Sequence, residues 1–347
     1  MSASPVALAE PDLAKVKALL LDTASPVHGD PSCVVVLLSA SRSGSSTVHD
    51  LLARCDAVAA LPGEIEPYLR LTGNAQGVDG SNEVTSFTNI EELRALVRTD
   101  LRLWSQPLPL VHGSDWHQRR LLFQSPMGLE LDEGWYDGCS RPPASNLTVL
   151  EEPPLVPIAD AVKPGSLNGV KLILKTPQLV YRRGLVEALF PNSPVHYLHL
   201  RRSAPGTVNG LLDGWLGPHF WSYRLPAPDG AAMPDWWCFD VPPGWHATRG
   251  LLDACVLQWV AANTAALLHP LVGHLHYEDL WRPQAEQRIA AACGIAVEAR
   301  LRTVMATEQP AERRWATKRP ELAGLMERND VTQLMEQLGY VNGGVQW

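Results

Sequence analysis

Val34-Val35-Val36-Leu37-Leu38-Ser39-Ala40-Ser41-Arg42-Ser43-Gly44-Ser45-Ser46-Thr47 is an aliphatic run that opens into a loop of small residues. The aliphatics after Cys33 suit a parallel strand buried on both faces, and the residues beyond the loop continue as a helix. Ser, Gly and Ser place no bulk in front of the backbone N–H groups at that helix start, which is the build of a phosphate cradle. No Lys follows Gly44, as a Gly-Lys-Ser/Thr loop requires, and the one basic residue, Arg42, comes before the glycine. The loop predicts a nucleotide-type ligand on a relative of the P-loop, not on a standard NTPase loop.

Outward from this stretch, strand-like and helix-like segments alternate. Further strands are expected just before Leu61, at 169–174, at 195–200 and, briefly, at 274–277. Helices are expected at 47–55, 90–104, 179–190, 205–215, 251–268 and 334–339. Alternation of this kind predicts an α/β fold, three layers α/β/α around a central parallel sheet of about five strands, in one domain spanning 1–347. Two stretches, 61–160 and 216–249, break the rhythm with Pro- and Gly-rich sequence. They are expected to be irregular insertions forming a lid and an acceptor pocket. Five of the twelve tryptophans fall between Trp215 and Trp245, where they either wall an apolar pocket or anchor the loop.

A net charge of −8 with 46% apolar and 19% charged residues describes a soluble globule whose overall surface attracts neither nucleic acid nor acidic membrane. Any anion site must be a local basic cluster. The six cysteines form no CxxC pair, which argues against a zinc site or a disulfide framework and for a reducing cytoplasm. No leader-like start and no run of eighteen apolar residues is present, so no membrane contact is expected. The Asn146-Leu147-Thr148 triplet is set aside as a chance sequon.

A second segment, Leu198-His199-Leu200-Arg201-Arg202-Ser203, ends a strand in two arginines and leads into a helix. That puts guanidinium groups at the carboxyl edge of the sheet, where open α/β folds bind ligands, and the planar fork of Arg suits phosphate. In this order the two segments resemble the sulfotransferases that use 3'-phosphoadenosine 5'-phosphosulfate (PAPS). Arg42-Ser43-Gly44-Ser45-Ser46 matches the loop that holds the 5'-phosphosulfate, and Arg202 matches the arginine on the 3'-phosphate. The pattern has a Ser eight residues after that arginine. Here the position is Gly210, with Asn209 beside it; a register starting at Arg201 puts Asn209 eight residues on. Lys175-Thr176-Pro177, the His276-Tyr277-Glu278-Asp279-Leu280 element and the closing Trp315 to Tyr340 segment extend the resemblance.

The resemblance implies that Arg42, Ser43, Gly44, Ser45, Ser46, Thr47, Arg202, Asn209, Gly210, Tyr277, Lys318 and Arg319 bind the cosubstrate PAPS and the product PAP. It assigns Arg42 and Lys175 to the group being transferred and Glu64 to the acceptor as base, with no metal. His49, more simply a packed residue, and His112 and His117 in the first insertion stand behind Glu64. The implied reaction is in-line sulfuryl transfer to a hydroxyl or amine of a small molecule, natural-product-like and either free or held on a carrier protein. A homodimer is compatible with the sequence. The rival expectations are a PAP-binding protein of this fold that does not sulfate, and a phosphotransferase on a P-loop scaffold.

Overall fold

The strand at the head of the opening stretch is β1 (Cys33–Leu38), and every one of its six residues is buried. A computed structural model describes residues 27–52, 55, 57–60, 65, 68–69, 72–74, 86–104, 166–216, 250–296 and 314–340. After β1 come α1 (Ser45–Leu52), β2 (Val58–Ala60) and α2 (Ile90–Trp104). Then follow β3 (Lys171–Lys175), α3 (Leu185–Leu189), β4 (Val195–Arg201), α4 (Ala204–Leu216), α5 (Leu251–Ala266) and β5 (Leu271–His276). The chain closes with α6 (Ala285–Cys293), α7 (Arg314–Lys318) and α8 (Asn329–Gln337), with 3₁₀ turns at Pro177–Tyr181, Tyr277–Trp281 and Pro320–Glu327.

All five strands are parallel, in the order β2-β3-β1-β4-β5. Alternate residues of β1 feed two separate cores, as period-2 geometry requires. Val34, Val36 and Leu38 join α2, α4, α5 and α8 on one face, whereas Val35 and Leu37 join Val48 and Leu52 of α1 and Ile289 of α6 on the other. The expected three-layer α/β/α architecture is therefore what the chain adopts.

Several boundaries differ from the sequence expectation, among them the last helix, which starts at Asn329 and not at 334. The helix expected over 179–190 is split into the Pro177–Tyr181 turn and the short α3, because Gly184 between them takes a left-handed φ of 83°. The strand expected at 274–277 runs instead from Leu271, and Tyr277 already begins a 3₁₀ turn. Most of the two expected insertions lies outside the described residues. Among the described residues no helix is long and apolar enough to cross a membrane, and Cys33, Cys55, Cys255 and Cys293 are buried free thiols.

The strand order places the loop after β1 beside a switch point, because the chain leaves β1 toward β2 on one side and leaves β4 toward β5 on the other. In parallel sheets this crevice beyond the carboxyl ends is where ligands bind. The ends of β3, β4 and β5 supply Lys175, Arg201-Arg202 and Tyr277 to the same edge.

Candidate functional site

The loop turns at once after β1. The Ser43 amide donates to the Ala40 carbonyl (3.3 Å), and the Val48 amide donates to the Gly44 carbonyl (3.2 Å) as the first rung of α1. The amides that precede that rung have no carbonyl within the helix to meet, which leaves positive potential at the N-terminal end. Arg42 sits at φ 65° and Gly44 at φ 87°. Left-handed geometry is ordinary for glycine and unfavourable for a side-chain-bearing residue, so Arg42 is held there by its surroundings. Ser41, Ser43 and Ser45 are buried, Thr47 is half-buried, and Ser46 lies in α1 with its side chain outside the described residues.

Two distant segments close on this loop. A Cβ on Gly44 would lie 2.3 Å from Cδ2 of Tyr277, so the aromatic ring rests directly on the glycine and no larger residue fits. The Arg202 guanidinium stands 4.2 Å from the centroid of the same ring, and its Nη1 donates to the Arg42 carbonyl (2.8 Å). Arg202 is itself fixed from behind by Trp259, whose Nε1 donates to its carbonyl (3.1 Å). Residues 44, 202 and 277 thus form one cluster.

Arg201 points elsewhere. Its Nη1 donates to the Leu338 carbonyl (2.9 Å) and its Nε to His199 Nδ1 (3.4 Å). His199 Nε2 in turn donates to Asn263 Oδ1 (3.0 Å), because the Asn263 amide nitrogen is already used on the Trp259 carbonyl (2.8 Å). Burial, helped by the neighbouring Arg201 charge and only partly opposed by the Asn263 hydrogen bond, pushes the His199 pKa down to about 3, so it is neutral. Of the two registers left open by the sequence, the one starting at Arg202 faces the loop.

Behind Arg202, α4 is capped by Ser203, whose Oγ accepts from the Gly206 amide (3.2 Å). The Ser203 amide donates to Glu278 Oε1 (3.0 Å), and the Tyr340 hydroxyl donates to Glu278 Oε2 (2.8 Å). One turn into α4, the Asn209 side-chain oxygen accepts from Arg319. Asp213, one turn further, pairs with both Lys318 and Arg319 at 2.7 Å. The closing segment is therefore docked on α4 beside Arg202. Gly210 lies on this helix facing Arg42: a Cβ there would come within 3.0 Å of the Arg42 Cβ.

On the other flank of β1, Lys175 ends β3 in register with Leu37 and is 2% exposed. The Ile65 amide donates to its carbonyl (3.2 Å), so the chain after β2 passes over that strand end. Glu64 lies outside the described residues, as do His112 and His117. His49 is buried in α1. Among the described residues no group of His, Cys, Asp or Glu side chains is arranged to hold a metal ion.

The structure brings together Arg42, Ser43, Gly44, Ser45, Arg202, Asn209, Gly210, Tyr277, Lys318 and Arg319. Asp213 reads from the sequence as structural and not catalytic, and its pairing with Lys318 and Arg319 is of that kind; sequence reasoning missed these partners and the role of Glu278 in locking the closing segment to α4. The signal for Asp213 was present: it stands four residues after Asn209, on the same helical face.

No protein-family model matches the chain, and no curated protein matches its sequence. Among solved structures it is similar to the sulfotransferase domain from the Synechococcus PCC 7002 olefin synthase, at 18% identity over 92% of this chain and 98% of that one, with a TM-score of 0.42. It is also similar to the sulfotransferase domain from the curacin biosynthetic pathway, at 13% identity over 90% and 98% with a TM-score of 0.41. A third is a sulfotransferase from Alicyclobacillus acidocaldarius, at 12% identity over 90% and 96% with a TM-score of 0.39.

Proposed function

We propose that the chain is a PAPS-dependent sulfotransferase that sulfates a hydroxyl or amine of a small, natural-product-type acceptor, free or held on a carrier protein. The observation that carries this reading is the closure of two distant segments, through Arg202 and Tyr277, on a loop that lacks the Walker lysine. The donor set fits an adenine nucleotide with separated anionic groups. Gly44 and the start of α1 offer a cradle, Arg42 and Arg202 offer guanidinium forks, and Lys175 stands at the end of the neighbouring strand.

When bound, PAPS supplies a sulfuryl group on a phosphate leaving group, and the acceptor oxygen or nitrogen bonds to sulfur as the bond to the phosphate oxygen breaks. The chain's own part is positional and electrostatic. The loop amides and Lys175 neutralise charge that grows on the departing oxygen, in a site where the lysine is already withdrawn from water. Arg202 holds the loop by its backbone while presenting its fork to the ligand. Glu64 is assigned as the base that takes the acceptor proton. Four buried free thiols suit a reducing compartment.

The test is a thermal shift followed by product analysis. PAP is expected to raise the melting temperature without magnesium, and incubation with PAPS and a metabolite extract is expected to yield a species heavier by SO3. Stabilisation only by ATP with magnesium would favour phosphotransfer and sink the proposal. Stabilisation by PAP with no mass gain in any extract would favour a binding protein that does not sulfate.

A further inference from the structure

We infer that Glu278 is a positioning residue for the nucleotide site: its carboxylate sets the geometry in which Arg202 and Tyr277 close on the loop, and ties that geometry to the docked closing segment. The inference rests on the nucleotide reading above and deepens it.

The register of the sheet leads to this residue. Arg201 of β4 lies opposite His276 of β5 in the last pair of the ladder. One step on, Arg202 and Tyr277 meet as guanidinium over ring. One step further, the Ser203 amide donates to Glu278 Oε1 at 3.0 Å. The pairing of the two strands is thus carried past the sheet by a side chain, at a point where the backbone after β5 has already entered a 3₁₀ turn. Oε2 of the same carboxylate accepts from the Tyr340 hydroxyl at 2.8 Å. Two residues before Tyr340, the Leu338 carbonyl accepts from Arg201 Nη1 and His276 Nε2. One carboxylate therefore joins three segments: the exit of β4, the exit of β5 and the closing segment.

A carboxylate is an unfavourable group to place here. Glu278 is 8% exposed, and withdrawing a charge from water is costly. A negative charge close to a site for an anionic ligand also opposes binding. The first cost is offset, because both oxygens accept a hydrogen bond and Oε1 stands at the start of the thirteen-residue α4, where the helix dipole favours negative charge. The second is not offset. What the group supplies is geometry: two acceptors on one planar head hold the Tyr277 ring on Gly44 and the Arg202 guanidinium 4.2 Å from its centroid. Glu278 acts through these two side chains.

Calorimetric titration with PAP, with the melting temperature read alongside, tests the inference without an acceptor. Glu278→Ala is expected to weaken PAP about 10-fold, as misplacement of binding groups would. Glu278→Gln keeps an acceptor for the Ser203 amide and a donor for the Tyr340 oxygen while removing the charge, so PAP should bind within about 3-fold of the unaltered protein, or more tightly. In a Tyr277→Ala background the loss caused by Glu278→Ala should shrink to about 3-fold or less, because one of the groups it positions is gone. A merely structural role would lower the melting temperature and leave these affinity differences flat. Unchanged PAP affinity in Glu278→Ala, a Gln variant as weak as the Ala variant, or an undiminished loss in the Tyr277→Ala background would each overturn the inference. Should Glu278→Ala fail to fold, Tyr340→Phe decides it: weaker PAP supports the inference and unchanged PAP overturns it. An unaltered protein that does not bind PAP sinks the nucleotide reading itself, and the inference with it.

Discussion

Two consecutive arginines leave β4 in opposite directions, and they enter opposite kinds of environment. On one side Arg201 is 8% exposed and meets neutral acceptors only, the Leu338 carbonyl and the ring of a histidine that burial keeps uncharged. On the other side Arg202 meets the Arg42 backbone carbonyl and the aromatic face of Tyr277. The first region uses a charge to close the fold, tying β4 to the end of α8. The second brings Arg202 onto the loop and, through Asp213, Lys318 and Arg319 onto α4. A guanidinium spent on buried carbonyls acts as a joint, whereas cationic side chains at the carboxyl edge of a parallel sheet suit an anion.

Substituting each arginine in turn should split the two regions most widely. Arg201→Ala is expected to cost about 3 kcal/mol of stability, because a buried, hydrogen-bonded side chain is removed and the last helix loses a tie. Denaturant titration reads this, and a change below about 1 kcal/mol would mean the joint is not structural. Arg202→Ala is expected to leave the unfolding midpoint almost unmoved while weakening PAP about 100-fold, or about 2.7 kcal/mol. Calorimetry showing no loss of PAP would erase the distinction between the neighbours.

Acid should attack the first region. His199 titrates near 3 when folded but near 6.5 when unfolded, so between these values the unfolded chain binds the extra proton and stability falls as pH falls. Roughly 2 kcal/mol is expected to be lost between pH 6.5 and 5, and His199→Gln should flatten that slope. An unchanged slope in the variant would show that other groups set the acid limit.

The contrast also shows what the sequence could and could not disclose. The aliphatic run of β1 and the strand-helix alternation are local patterns, and they foretold the parallel sheet and its three layers. The small-residue loop and the basic strand end were visible for the same reason. Which of Arg201 and Arg202 faces the loop was not visible, because it depends on how Leu338 and Gly44 come to lie on either side of β4, contacts spanning 137 residues and more. The break at Gly184 was hidden by an apolar spacing that a helix and a 3₁₀ turn share. Asp213 reads from the sequence as a structural acid at the end of its helix, but its partners were not visible because they lie more than a hundred residues away.

Asp213 offers the finest cut within the second region. Its carboxylate holds Lys318 and Arg319 against α4. Removing it has two opposed consequences. The cluster becomes more positive, which favours an anion, but the closing segment loses the contact that orders it, which costs affinity through entropy. Lys318 is half exposed, so its pair contributes little, whereas Arg319 is 14% exposed and keeps its bond to Asn209. Ordering should outweigh charge: Asp213→Asn is expected to weaken PAP about 3–10-fold, or about 1 kcal/mol, and to lower the salt dependence of binding little. Tighter binding in the variant would reverse the balance and show that Asp213 restrains the site by its charge instead of building it.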